Sequence, residues 1–149
     1  MEPTSDGKGY SHADERSPSR EADDFWIFAH RRVPGYPERT TKGGKWLVFV
    51  PIAQIDEVWA TIKVATERGL LGGSSKVATA RPNRNVADPG KRVICVYTYD
   101  QSDRPDVDRV RQGLRDLGVS HAITWKADED TRAGRYSNRG DRGIGRYRA

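Results

Sequence analysis

A chain of 149 residues with a formal net charge of +5 has the length of one domain with a single core, and its one cysteine excludes an internal disulfide. Its apolar runs fall well short of the roughly 18 residues that a membrane span needs, and none has the flanked core of a secretion signal. A reducing, cytoplasmic setting is therefore expected, with no membrane partner.

Residues 1–24 carry Lys8, Arg16 and Arg20 against seven acids and hold almost no apolar side chains, so this acidic, polar tail is expected to be disordered. His12 lies in it and is not a catalytic candidate. A single domain is expected over residues 25–149. FWIFAHR opens it as a strand that alternates Trp26, Phe28 and His30 on one face with Phe25, Ile27 and Ala29 on the other. VPGYPERTTKGG reads as a loop, and KWLVFVP as a second strand closed by Pro51.

In IDEVWATIKVATERG, residues Ile55, Val58, Trp59, Ile62 and Ala65 fall at helical spacing. Asp56 and Glu57 sit where the helix dipole favours acids, and Gly69 is the expected left-handed terminator. Trp59 and Trp26 are both expected in the core. The strand SKVATA, the polar connection RPNRNVADPG and the strand KRVICVYTY follow. The last is apolar on both faces, as a central strand is, and buries Cys95. SDRPDVDRVRQGLRDLG has a cap at Ser102 or Asp103, Pro105 in the first turn, an apolar stripe of Val107, Val110, Leu114 and Leu117, and a stop at Gly118. HAITWK is the last predicted strand. Residues 132–149 then bring six arginines against one acid, Asp141. This order, β-β-α-β-β-α-β, predicts an α+β domain with helices on one face of a mainly antiparallel sheet.

The segments GGKWLVFVP, IDEVWATIKVATERGLLGGSSKV, KRVICVYTYD and TWKADEDTRAGRYSN resemble the family of the basophilic-leukaemia-expressed protein, often described as a phosphothreonine lyase domain. The most specific pieces are Gly-Lys-Trp at 44–46, Ser-Lys-Val at 75–77 and Lys-x-Asp-x-x-Thr from Lys126 to Thr131. That family is held to share the fold of the cap-binding translation initiation factor 4E, so the resemblance implies a curved sheet backed by helices. A cap site of that kind sandwiches a methylated guanine between two tryptophans and holds it with a carboxylate. By resemblance Trp46 would stand for the first tryptophan, while RPNRNVADPG contains neither Trp nor Glu for the rest.

Lys45, Lys76 and Lys126 each stand at the edge of a predicted strand. If the sheet gathers them, they form a phosphate site that Arg132, Arg135 and Arg139 extend. Trp46 or Tyr136, with Trp125 and Tyr147 as further choices, would offer a flat face to a base. Asp128 is counted with this site, although Asp128, Glu129 and Asp130 are expected to solvate a turn or pair with Arg132 and Arg135 in preference to holding a magnesium ion. The Arg-Gly-aromatic text RAGRYSNRGDRGIGRYR is familiar from RNA-binding segments. The bland alternative is that the lysines cap strand ends and the arginines solvate a tail.

The expected function is binding of RNA or a phosphorylated nucleotide. The alternative, implied by the family description, is a phosphate-processing enzyme that eliminates phosphate with a lysine base and His30 or His121 as acid. A third reading, a protein-interaction module with a protein partner, predicts a broad exposed apolar patch. No Cys/His metal spacing, nucleophile elbow or Walker loop occurs, so no catalytic residue, metal or cofactor is assigned.

Overall fold

The computed structural model describes residues 14–83, 88–129 and 145–149. Its strands are β1 (Trp26–His30), β2 (Gly44–Pro51), β3 (Ser74–Ala78), β4 (Lys91–Thr98), β5 (Thr124–Ala127) and β6 (Gly145–Arg148). Two helices, α1 (Ile55–Glu67) and α2 (Arg104–Asp116), and a short 3-10 turn at Ile52–Gln54 complete the described elements. The strands form one curved sheet in the order β1-β3-β4-β2-β5-β6, antiparallel at every pairing. The expected α+β architecture is therefore present.

Alternation along each strand decides which side a residue takes. Ile27 and Ala29 of β1, Trp46, Val48 and Val50 of β2, Val77 of β3, Ile94 and Val96 of β4 and Trp125 of β5 share one core with both helices. From α1 come Ile55, Trp59 and Ile62, and from α2 come Val107, Val110 and Leu114. Each helix ends as its sequence predicts, on a glycine with positive φ, Gly69 at 80° and Gly118 at 103°. Asp103 caps α2 by accepting the Asp106 N–H at 3.1 Å. Among the described residues no helix is long and apolar enough to cross a membrane.

Both ends of the described chain make contacts that composition does not signal. Residues 14–24, assigned to the disordered tail, lie against the domain: Ser19 donates its N–H and its hydroxyl to Asp56 at 2.9 and 2.5 Å, and Lys63 reaches Glu15 at 3.3 Å. Glu21 accepts the Ala80 N–H at 2.8 Å. Such a strap needs little apolar area, because its polar groups are paired with groups of the domain. Residues 1–13, His12 among them, lie outside the described residues.

At the other end the arginine-rich segment supplies a strand that its charge hid. Gly145–Arg148 pairs with β5, and Tyr147 packs on Trp125 with ring centres 5.3 Å apart. Arg111, buried at 3% exposure, donates to the carbonyls of Ala149, Val119 and His121 at 3.0, 2.9 and 2.8 Å. One guanidinium thus satisfies three backbone acceptors where the chain leaves α2 and where β6 ends.

Candidate functional site

One residue along from each core position, the strands present a second face that no described helix covers. Lys45 and Leu47 of β2, Lys76 of β3, Cys95 and Tyr97 of β4 and Lys126 of β5 all take that side by parity. The pairing register sets Tyr97, Lys45 and Lys126 in one row across β4, β2 and β5, with Lys76 opposite Cys95 in the next row. Gly44 makes the close approach of β2 and β5 possible. A Cβ there would lie 2.2 Å from the Trp125 ring and 2.6 Å from the Lys126 carbonyl oxygen.

The register gathers the cations around the Tyr97 ring. The Lys45 and Lys76 ammonium groups stand 5.7 and 6.0 Å from its centre, and the Arg39 guanidinium, from the loop between β1 and β2, lies 4.3 Å away. Asp128 pairs with Lys45 at 2.9 Å and with Arg39 at 3.6 Å, so it holds both side chains at the site. Lys45 and Lys126 are only 7% and 6% exposed, and Lys76 rests 3.8 Å over the Trp26 ring. Several positive charges in a half-buried hollow attract an anion strongly, because little water screens them.

Burial, reinforced by the Lys45 and Arg39 charges and opposed by Cys95 and Asp128, holds the Lys76 ammonium below the ordinary lysine range. Burial likewise pushes the Cys95 thiol up, leaving it a packing residue. The stability consequence has a definite sign. Between the folded and unfolded pKa values of Lys76 the unfolded chain binds more protons, so this group's contribution to stability rises with pH. The unfolding free energy of the wild type, measured against Lys76→Met, is expected to rise as pH approaches the ordinary lysine pKa of about 10.4 from below. A pH-independent difference over that range contradicts the assignment.

Beside the lysines, the loop between β1 and β2 walls a cleft of about 470 Å³ lined by His30, Tyr36, Glu38, Arg39, Ser74 and Tyr97, among others. Tyr36 fixes the loop: its hydroxyl donates to Asp106 of α2 at 2.6 Å and accepts the Tyr99 N–H at 3.2 Å. Its ring meets Tyr99 edge-on at 5.5 Å. Arg39 and Tyr97 belong both to the cleft and to the cationic hollow, so the two are continuous.

Of the residues singled out from sequence, Lys45, Lys76, Lys126 and Asp128 come together. Trp46 does not. It is fully buried on the helix side, and its indole N–H donates to the Val107 carbonyl at 3.0 Å. Its place next to Lys45 in the strand dictates this, since adjacent strand residues face opposite ways. Trp125 is buried on the same side, donating to the Thr98 hydroxyl at 3.0 Å, and Tyr147 is packed between Trp125 and the Arg104 guanidinium. Neither offers a free ring. Trp26, expected in the core, lies half-buried on the lysine face instead.

Arg132, Arg135, Tyr136 and Arg139 lie outside the described residues. Sequence reasoning missed Tyr97 and Arg39. Tyr97 was legible as the β4 residue in phase with Cys95, whereas Arg39 reaches the site from a loop that carries no periodic signal. His30 lines the cleft, and His121 is exposed in the turn after α2.

A family model described as basophilic leukemia-expressed protein Bles03 matches residues 38–129. Among solved structures, a schistosome eIF4E complexed with m7GpppG and 4E-BP aligns with a TM-score of 0.54 at 16% identity, over 72% of this chain and 59% of that one. A C. elegans eIF4E-3 in complex with the 4E-binding protein Mextli and a cap analog aligns at 0.52 and 18% identity, over 72% of this chain and 57% of that one. At such identities the likeness is one of fold, and this chain spans less than two thirds of either neighbour.

Proposed function

The chain belongs to the basophilic leukemia-expressed protein Bles03 family, and we propose that it binds a phosphorylated nucleotide or the phosphates of RNA on the helix-free face of its sheet. The convergence of Lys45, Lys76 and Arg39 around Tyr97, with Lys126 opposite Lys45 on the next strand, carries this reading. Ammonium and guanidinium groups form charge-assisted hydrogen bonds to phosphate oxygens, and a site already held in shape by Asp128 loses little side-chain freedom on binding. With Trp46 and Trp125 buried, contact with a base falls to Tyr97 and to the Tyr36 side of the adjoining cleft.

The eIF4E structures aligned above hold cap nucleotides on the same fold, which is consistent with a nucleotide here. This chain keeps no exposed tryptophan pair for a methylated base among its described residues. The ligand is therefore argued from phosphate recognition and not from cap recognition.

Binding of a fluorescent nucleoside triphosphate or a short oligoribonucleotide should weaken steeply between about 50 and about 200 mM salt, as expected when several phosphate contacts release counterions. Affinity that stays constant over that range counts against the reading. The enzymatic alternative, phosphate elimination with a lysine base, would put that base among the lysines of the same face. Release of phosphate from a phosphothreonine peptide, abolished by Lys76→Met, would favour it.

A further inference from the structure

We propose that β1 is a self-pairing edge, on which a second copy of this chain adds its own β1 antiparallel, across a two-fold axis at Phe28, and joins the two sheets into one. β1 stands at the end of the strand order, with β3 on one side and no described strand on the other. The Phe25 carbonyl accepts the Thr79 N–H at 3.1 Å and the Arg31 N–H donates to the Gly73 carbonyl at 2.9 Å, so the odd-numbered residues turn their backbone groups toward β3. Trp26, Phe28 and His30 therefore turn theirs to the open edge, where these groups meet no hydrogen-bond partner among the described residues.

The two edges of the sheet differ in character. Natural sheets blunt an open edge with charge, proline or a bulge. β6, at the far end, carries two arginines in GRYR, and its pairing with β5 is interrupted by a register shift at Trp125/Lys126. WIFAH in β1 has no lysine, arginine, acid, proline or glycine. Its middle side chain, Phe28, is 45% exposed, with the His30 ring stacked beside it at 6.1 Å. Such an edge is a template for another strand.

The sequence of the strand itself identifies the occupant. With outward groups on even-numbered residues, an antiparallel two-fold pair must set even against even, and only a centre at Phe28 pairs all five residues of β1. Phe28 then meets Phe28 of the second copy, and Trp26 meets His30 of the second copy. Three outward residues on each strand give about six hydrogen bonds between the chains. Continued past the strand ends, the same register brings Asp24 opposite Arg32 of the second copy, and both positions are exposed. An edge that runs from acid to base is complementary to itself only when antiparallel. The Asp24 side chain is 64% exposed beside Arg16, which leaves its carboxylate room for a second guanidinium. Aromatic side chains of the two copies lie opposite one another on one face and add to the backbone bonds. The contact is one strand wide, so the dimer is expected to be weak, with a Kd of about 10–100 μM.

The test is sedimentation velocity of the full chain from about 1 to about 300 μM, with amide hydrogen exchange at both ends of that range. The mass is expected to rise from 16.7 kDa toward twice that value, and the amides of Trp26, Phe28 and His30 to exchange at least about tenfold more slowly at the higher concentration. Phe28→Lys sets like charges opposite each other at an exposed position, so it should weaken dimerisation at least about tenfold while circular dichroism stays unchanged. Asp24→Lys should weaken it about fivefold, and Asp24→Lys combined with Arg32→Glu should restore it. A mass of 16.7 kDa throughout, or β1 amides that exchange equally fast at both concentrations, overturns the proposal. So does a dimer that a folded Phe28→Lys protein keeps at full strength, since that dimer uses another surface. If Phe28→Lys unfolds the chain, the exchange measured on the wild type still decides.

Discussion

Replacing Lys45 and Lys76 together by methionine is expected to lower affinity for a phosphorylated nucleotide by about a hundredfold, because each contact to a charged group contributes about 1.5 kcal/mol or more. The effect has two sources. Two positive charges leave the Tyr97 hollow, and Asp128 loses its 2.9 Å partner, which turns a neutralised carboxylate into one that repels the incoming phosphate. Methionine keeps the length and much of the apolar area of the lysine stems, so the sheet should remain folded. Isothermal titration at fixed salt, with circular dichroism as the folding control, measures the change. Lys42→Met and Lys91→Met, on exposed lysines, should alter affinity by less than about twofold, through long-range charge alone. A double variant that binds as the wild type does would remove the lysines from the site.

Trp125→Ala is expected to cost about 3–5 kcal/mol of stability in urea unfolding, the usual price of emptying a tryptophan-sized volume in a core. The indole is fully buried, donates to Thr98, packs on Tyr147 and fills the space that Gly44 leaves open between β2 and β5. Trp46→Ala should cost a similar amount, since it also breaks the bond from β2 to the Val107 carbonyl of α2. Trp46→Phe separates packing from recognition: it keeps most of the apolar volume and should leave nucleotide affinity unchanged. Lost affinity in a fully stable Trp46→Phe protein would restore Trp46 as a ligand contact.

Local signals in the chain carried local structure well. Both helices end on the glycines that their apolar stripes predict, and of the two expected caps, Ser102 and Asp103, it is Asp103 that caps the second. Alternation separated the two faces of β1, and the structure turns Ile27 and Ala29 inward, whereas Trp26, expected in the core, shares the other face with Phe28 and His30. What alternation does not carry is which strand lies beside which. β1 pairs with β3 and not with its neighbour in sequence, and this long-range choice brings Trp26 alongside the Lys76 strand.

The site was legible in part for the same reason. Three lysines at strand positions of one parity can meet once the order of strands is known, and the register does bring them together. The choice of Trp46 as the flat ring went wrong on a rule already in hand, because Lys45 and Trp46 are consecutive in a strand and cannot both face the same ligand. Arg39 was invisible, since a loop arginine finds Tyr97 only through the fold. Charge composition gave no sign of the contacts of residues 14–24 or of the strand at 145–148, where polar pairing and one half-buried aromatic, Tyr147, take the place of an apolar run.

The most direct measurement is a crystal structure of the protein soaked in tungstate or a nucleoside triphosphate. The account predicts anion density within hydrogen-bonding distance of the Lys45 and Lys126 ammonium groups and the Arg39 guanidinium, beside the Tyr97 ring. Density confined to the exposed arginines of α2, such as Arg104 and Arg115, with the helix-free face empty at saturating anion, would contradict it.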